Sequence, residues 1–160
     1  MTQQPFIAKS PDVTGWTPSA SAVTMQRIPD APVPAKAAAA RLGQMKQLAR
    51  RFKATQEVSE LDTSFVHLRM LPREIDRYSP DMTAESDGAI FLFVNGRNPA
   101  IVLLVETKGP EWHYGIGRLS APSVLTMQLD DTVVWKQPRA FGSLSWTNPY
   151  TASNAPAKFP

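Results

Sequence analysis

The chain has no cysteine, which excludes disulfides, thiolate metal sites and cysteine nucleophiles. That absence does not fix the compartment, since cysteine-free proteins occur in reducing and oxidising surroundings alike. Histidine is nearly as scarce, with only His67 and His113 present. Neither has another histidine or an acid three or four residues away, the spacing by which one helix would hold zinc. No Gly-x-Ser-x-Gly elbow is present to place a nucleophilic serine. Long apolar runs are missing too, and the first 25 residues mix Gln, Lys, Asp and Pro where a secretory signal needs an apolar stretch. The expectation is a soluble chain with no membrane span, of unknown compartment, cytoplasmic if Met1 is the natural start. Charged residues make up only 19%, and the 8 glycines against 15 prolines follow no period, which excludes collagen and points to local irregularity. A hydrophobic content of 42% in turn excludes a fully disordered chain.

What is present suits one domain, because 160 residues can close a single core. Residues 1–34 hold six of the 15 prolines and read as a Pro-rich arm or linker. Phe6, Ile7, Trp16, Val23, Met25 and Ile28 are more apolar than a spacer needs, so part of this arm is expected along the domain surface. Residues 35–140 form the expected single domain. Residues 141–160, with Pro149, Pro156 and Pro160, read as an irregular tail.

Within the domain, residues 35–55 predict a helix. Pro34 can start it, Ala37 to Ala40 favour it, and Leu42, Met45, Leu48, Ala49 and Phe52 share one side at 3.6 spacing. The period then changes to two. Residues 64–71 alternate Val66, Leu68 and Met70 with His67 and Arg69, predicting a strand with one wet face that Pro72 ends. Residues 89–94 and 100–105 are apolar on both faces and flank the hairpin signal Asn95-Gly96-Arg97-Asn98. Residues 111–119, 123–129 and 132–136 complete about six strands, with Asp130-Asp131 turning the last pair. Connections this short demand antiparallel neighbours. The predicted class is therefore α+β: one N-terminal amphipathic helix packed on an antiparallel β-meander of about six strands, with irregular Pro-rich arms. The doubly apolar strands also require a cover on the second face, from the arm, the tail or a second subunit.

Charge is unevenly placed. Lys36, Arg41, Lys46, Arg50, Arg51 and Lys53 form a stretch without one acid, whereas from Glu57 onward acids outnumber bases twelve to nine. Such a segment suits a nucleic acid, an anionic surface or the acidic remainder of the same chain. Lys46, Arg50 and Arg51 are the candidate binding residues on the helix. Trp146, beyond the last strand, is the candidate binding aromatic.

A family resemblance rests on Arg41–Phe52, Leu68–Tyr78, Asp87–Val94 and the Trp112-x-Tyr114-x-x-x-Arg118 run. Together these are similar to a family of uncharacterised bacterial proteins abundant in planctomycetes, over about residues 40–137. The resemblance implies one module, a helix followed by a sheet, and carries no assigned activity. Family members often read Glu-Ala-Arg where this chain has Glu106-Thr107-Lys108.

One constellation carries chemistry. Asp87, then two strands ending in Glu106-Thr107-Lys108, resembles the Asp…Glu-x-Lys core of restriction-endonuclease-like nucleases, in which two carboxylates hold a divalent metal and the lysine orients water. A hairpin loop of residues 95–98 sets Asp87 directly across from Glu106, close enough to share Mg²⁺, with Lys108 on the same face. A two-residue loop is expected to separate the acids. The plainer reading is that both acids end a hairpin in solvent and Lys108 neutralises them. The function adopted from sequence is a non-enzymatic accessory or scaffold module, without cofactor, that binds a protein partner or self-associates. The alternatives are nucleic-acid binding through helix 36–53 and a Mg²⁺-dependent nuclease using Asp87, Glu106 and Lys108.

Overall fold

A computed structural model describes residues 8–10, 13–16, 23–57, 64–78, 87–120 and 122–139. Two short strands, β1 (Ala8–Ser10) and β2 (Val13–Trp16), pair with each other. The main body starts with β3 (Gln26–Arg27) and the helix α1 (Ala38–Ala49). It continues through β4 (Phe52–Glu57), β5 (Phe65–Met70), β6 (Asp76–Tyr78) and β7 (Gly88–Asn95). β8 (Asn98–Lys108), β9 (Glu111–Arg118), β10 (Leu125–Leu129) and β11 (Thr132–Gln137) complete it.

This corrects the expected fold class. The protein is mostly antiparallel sheet, curled into a half-barrel, rather than a helix packed on a six-strand meander. The strand order is β11-β10-β4-β5-β7-β8-β9-β3, with β6 also on β7. Three strands account for the difference. β3 arises from the segment expected to be an arm, and its neighbour Ile28 is buried in the core. β4 occupies residues assigned to the end of the helix. It then pairs with both β5 and β10, so β10 joins β4 instead of its sequence neighbour β9. β6 lies between the expected strands 64–71 and 89–94, where no strand was expected, and shares one edge of β7 with β5. Between them the chain bends at Pro72, which has no N–H to donate, while Leu71 and Ile75 still bond the β7 carbonyls of Leu92 and Ile90 at 2.9 Å each.

The inner face carries the core, including Phe91, Phe93, Leu103, Trp112, Tyr114 and Met127. α1 lays Met45, Leu48 and Ala49 against it, over β7 and β8. No side chain of Ala37 caps the helix. Instead Gln44 reaches back, accepting from the Ala35 N–H and donating to the Val33 carbonyl. On the outer face, Ile90, Leu92, Val102 and Leu104 are half-buried. Val23 and Met25 lie over Gly115 of β9, where a Cβ would collide with both side chains. Residues just before β3 therefore supply part of the second cover.

The β7–β8 hairpin fixes the geometry of everything that follows. Its turn is the two residues Gly96-Arg97, with Gly96 at φ 59° and Asn95 opposite Asn98. Val94 faces Pro99, but Phe93 faces Ile101, leaving Ala100 as an extra residue in β8. Its carbonyl is not wasted, since Leu119 and Ser120 donate to it from the end of β9. From Ala100 onward every pair in the hairpin is displaced by one residue.

Candidate functional site

The bulge decides the fate of the carboxylate pair. Gly88, not Asp87, faces Glu106, and because side chains alternate faces with period two, a one-residue slip puts the two acids on opposite sides of the sheet. The expected sharing of one Mg²⁺ by Asp87 and Glu106 is corrected accordingly. The two-residue turn alone does not separate them, since Asn95 opposite Asn98 keeps the original register; Ala100 does. Lys108 follows Glu106 to the outer face by the same alternation. Among the described residues no group of three or more His, Asp or Glu is placed to hold a metal ion.

Asp87 faces inward and is fully buried, at 0% exposure. It lies across from Thr107, whose N–H donates to its carbonyl at 2.9 Å and whose Oγ1 accepts from its N–H at 2.9 Å. Two guanidiniums hold the carboxylate. Arg41 Nε donates to Oδ2 at 2.7 Å, while Arg77 donates from Nε to Oδ1 at 3.0 Å and from Nη2 to Oδ2 at 2.6 Å. Arg41 is itself only 2% exposed and also donates to the Ala35 and Lys36 carbonyls. Arg77 reaches the Ala38 carbonyl. Burial by itself raises the Asp87 pKa, but the hydrogen bonds and charges of Arg77 and Arg41 outweigh it and hold the carboxyl below its ordinary value. The arrangement fastens the start of α1 to β6, β7 and β8, and every oxygen of the carboxylate is engaged. It is a clamp rather than a reactive group.

Glu106 has a different surrounding on the outer face. The Tyr78 hydroxyl donates to its Oε2 at 2.7 Å. Tyr78 pairs with Gly88, which pairs with Glu106, so the ring crosses directly over the glycine. A Cβ at Gly88 would fall on the ring's own atoms. Burial first, then the bond to Glu106, pushes the Tyr78 pKa well above its ordinary value. His113 stands opposite Glu106 on β9 and keeps a buried Nδ1 without a hydrogen-bond partner among the described residues.

The basic helix is largely neutralised from within the chain. Arg41 pairs with Asp87, Lys46 with Glu74 at 2.9 Å, Arg51 with Asp130, and Lys53 with Asp131 at 2.6 Å. Arg51 also donates to the Pro29 carbonyl, and Asp130 and Asp131 adopt the positive φ that the two-residue β10–β11 turn requires. Of the candidate binding residues, Lys46 and Arg51 are thus engaged. Arg50 is exposed and has no acidic partner among the described residues. Trp146 lies outside the described residues.

A feature the sequence reading passed over lies elsewhere on the outer face. Phe65 opens β5 at 60% exposure, its ring edge-on to His67 with centroids 5.5 Å apart. It borders a hollow of about 180 Å³ lined by Thr55, Glu57, Val124, Thr126 and Lys136. The signal was in the alternation. With Leu68 and Met70 turned inward, the period of two puts Phe65 on the wet face beside His67 and Arg69.

No protein-family model, curated protein or solved structure matches this chain.

Proposed function

We propose that the chain is a non-enzymatic accessory or scaffold module that docks a protein partner on the outer face of its open sheet. Phe65 carries the reading, as a large exposed aromatic at the rim of a hollow otherwise lined by Thr55, Glu57, Val124, Thr126 and Lys136. The volume of about 180 Å³ falls below the roughly 300 Å³ at which small-molecule pockets begin, so it suits one anchoring side chain rather than a substrate or cofactor. Aromatic anchors in small pockets, ringed by polar contacts, are how protein interfaces concentrate binding energy. Two further observations support it. The chain's two most suggestive acids are occupied with internal bonds, and four of the six cations of the helical segment pair with its own acids. The second of these weighs against nucleic-acid binding by that segment.

Selection of a displayed random-peptide library against the immobilised chain tests the proposal. Enriched peptides should bind in solution and lose at least about tenfold in affinity with Phe65→Ala, as expected for a central aromatic contact. Peptides indifferent to Phe65→Ala, or no enrichment at all, would count against docking on this face.

A further inference from the structure

We infer, resting on that docking site, that the segment it takes is acidic and extended, with a single apolar side chain seated beside Phe65. The charges around the hollow carry this. β5 presents Phe65, His67 and Arg69 in line, all exposed on one face, with about 7 Å between successive members. A second line crosses the strands from Lys136 through Thr126 and Thr55 to His67. Arg69 and Lys136 therefore flank the hollow from two directions. Unlike Arg41, Lys46, Arg51 and Lys53, neither has an acidic partner among the described residues. Lys53, also on this face, is already committed to Asp131.

Among the described residues, one acid opposes them. Glu57 lines the hollow itself and stands directly across from Phe65. Glu57 and Lys136 both line the hollow, so a charge of either sign seated there meets one like charge, whereas carboxylates beside the anchor can reach Arg69 along β5 and Lys136 at the rim. The charge pattern thus selects an uncharged, apolar anchor with acidic neighbours. Because Phe65, His67 and Arg69 follow a strand, a partner lying along them in extended form keeps its alternate side chains in step with theirs.

The test uses fluorescence anisotropy with the full chain and a fluorescein-labelled peptide of alternating Thr and Glu around one central Leu. Two counterparts carry Lys in place of Glu and Ser in place of Leu. The Glu/Leu peptide should bind, weaken as salt rises from about 50 to about 200 mM, and lose about tenfold with each of Phe65→Ala, Arg69→Glu and Lys136→Glu. Both counterparts should bind at least about tenfold more weakly on the same grounds. The three substituted side chains are exposed, so circular dichroism should show an unchanged fold. Equal or tighter binding of the Lys counterpart, still dependent on Phe65, would overturn the acidic class and leave the docking site standing. Binding of any peptide independent of Phe65 would overturn both. Tighter binding of a labelled oligouridylate through the same residues would make the partner a nucleic acid. A concentration-dependent dimer abolished by Phe65→Ala would make it a second copy; each result overturns the inference.

Discussion

Asp87 and Glu106 flank one glycine's register on the same hairpin and nonetheless point to opposite faces, because Ala100 inserts one residue into β8. One acid becomes the counter-ion of two arginines in the interior. The other takes a tyrosine hydroxyl on the outer surface.

That division predicts unequal costs. Asp87→Asn leaves Arg41 buried without its counter-charge and should destabilise the protein by about 3–5 kcal/mol. Glu106→Gln keeps an acceptor for Tyr78 in a partly solvated place and should cost no more than about 1 kcal/mol. Urea denaturation of both variants measures the contrast; equal losses would mean that the interior clamp carries no special weight.

The bulge can be removed directly. Deleting Ala100 leaves a regular two-residue hairpin in which Phe93 still faces Ile101 and Gly88 still faces Glu106, but takes away the carbonyl to which Leu119 and Ser120 donate. The expected result in urea denaturation is a folded protein, its two acids still on opposite faces, destabilised by about 1–3 kcal/mol. A deletion variant that unfolds like the parent would show the bulge to be incidental.

Gly88 and Tyr78 should behave as a coupled pair. Gly88→Ala drives a methyl into the Tyr78 ring and should cost about 1–3 kcal/mol. In a Tyr78→Ala background the same methyl has space, and the cost should fall by more than half. A double-mutant cycle reads the coupling.

Stability should follow pH at both extremes. The folded Asp87 pKa is depressed, so its contribution is complete above the unfolded value of about 3.9 and is lost as pH falls through the lower folded one. Asp87→Asn should flatten the acid limb. The Tyr78 pKa is raised, so its contribution is complete below about 10 and is lost as pH rises through the folded value. Tyr78→Phe should remove part of the alkaline limb. Part should remain, because burial raises Tyr114 as well. Denaturation midpoints across pH, with tyrosinate absorbance, check both.

Truncation separates the expected arm from the sheet. Removing residues 1–34 takes away β3 and the buried Ile28, and should destabilise the fold by about 2–5 kcal/mol, the range for losing one large core side chain. Removing residues 1–22 takes β1 and β2, which among the described residues pair only with each other, and should leave the thermal midpoint nearly unchanged.

Strands were easier to read than their arrangement. The alternation of Val66, Leu68 and Met70, and the doubly apolar runs at 89–94 and 100–105, reflect burial patterns that a strand imposes locally. β4 escaped because Phe52 satisfies both the helical spacing of α1 and the alternation Phe52-x-Ala54, while Lys53, Thr55 and Gln56 give no apolar signal. Its pairing with β10 had no local trace, since nothing near Phe52 encodes Leu129. The carboxylate geometry failed on the single residue Ala100, which resembles its neighbours in every sequence property and differs only in register. The acidic partners of the basic segment, Glu74, Asp130 and Asp131, were visible as residues. Their meeting with Lys46, Arg51 and Lys53 depends on the curl of the sheet.

The position of β4 between β5 and β10 has a consequence for synthesis. Phe52 leaves the ribosome 77 residues before its neighbour Leu129. Until then the nascent polypeptide carries an unsatisfied row of main-chain amides along β4, the kind of exposed ribbon to which chaperones and other growing chains adhere. Closure of the half-barrel is therefore gated by translation of the β10–β11 hairpin, and a ribosome stalled before Leu125 would hold it incomplete and adhesive.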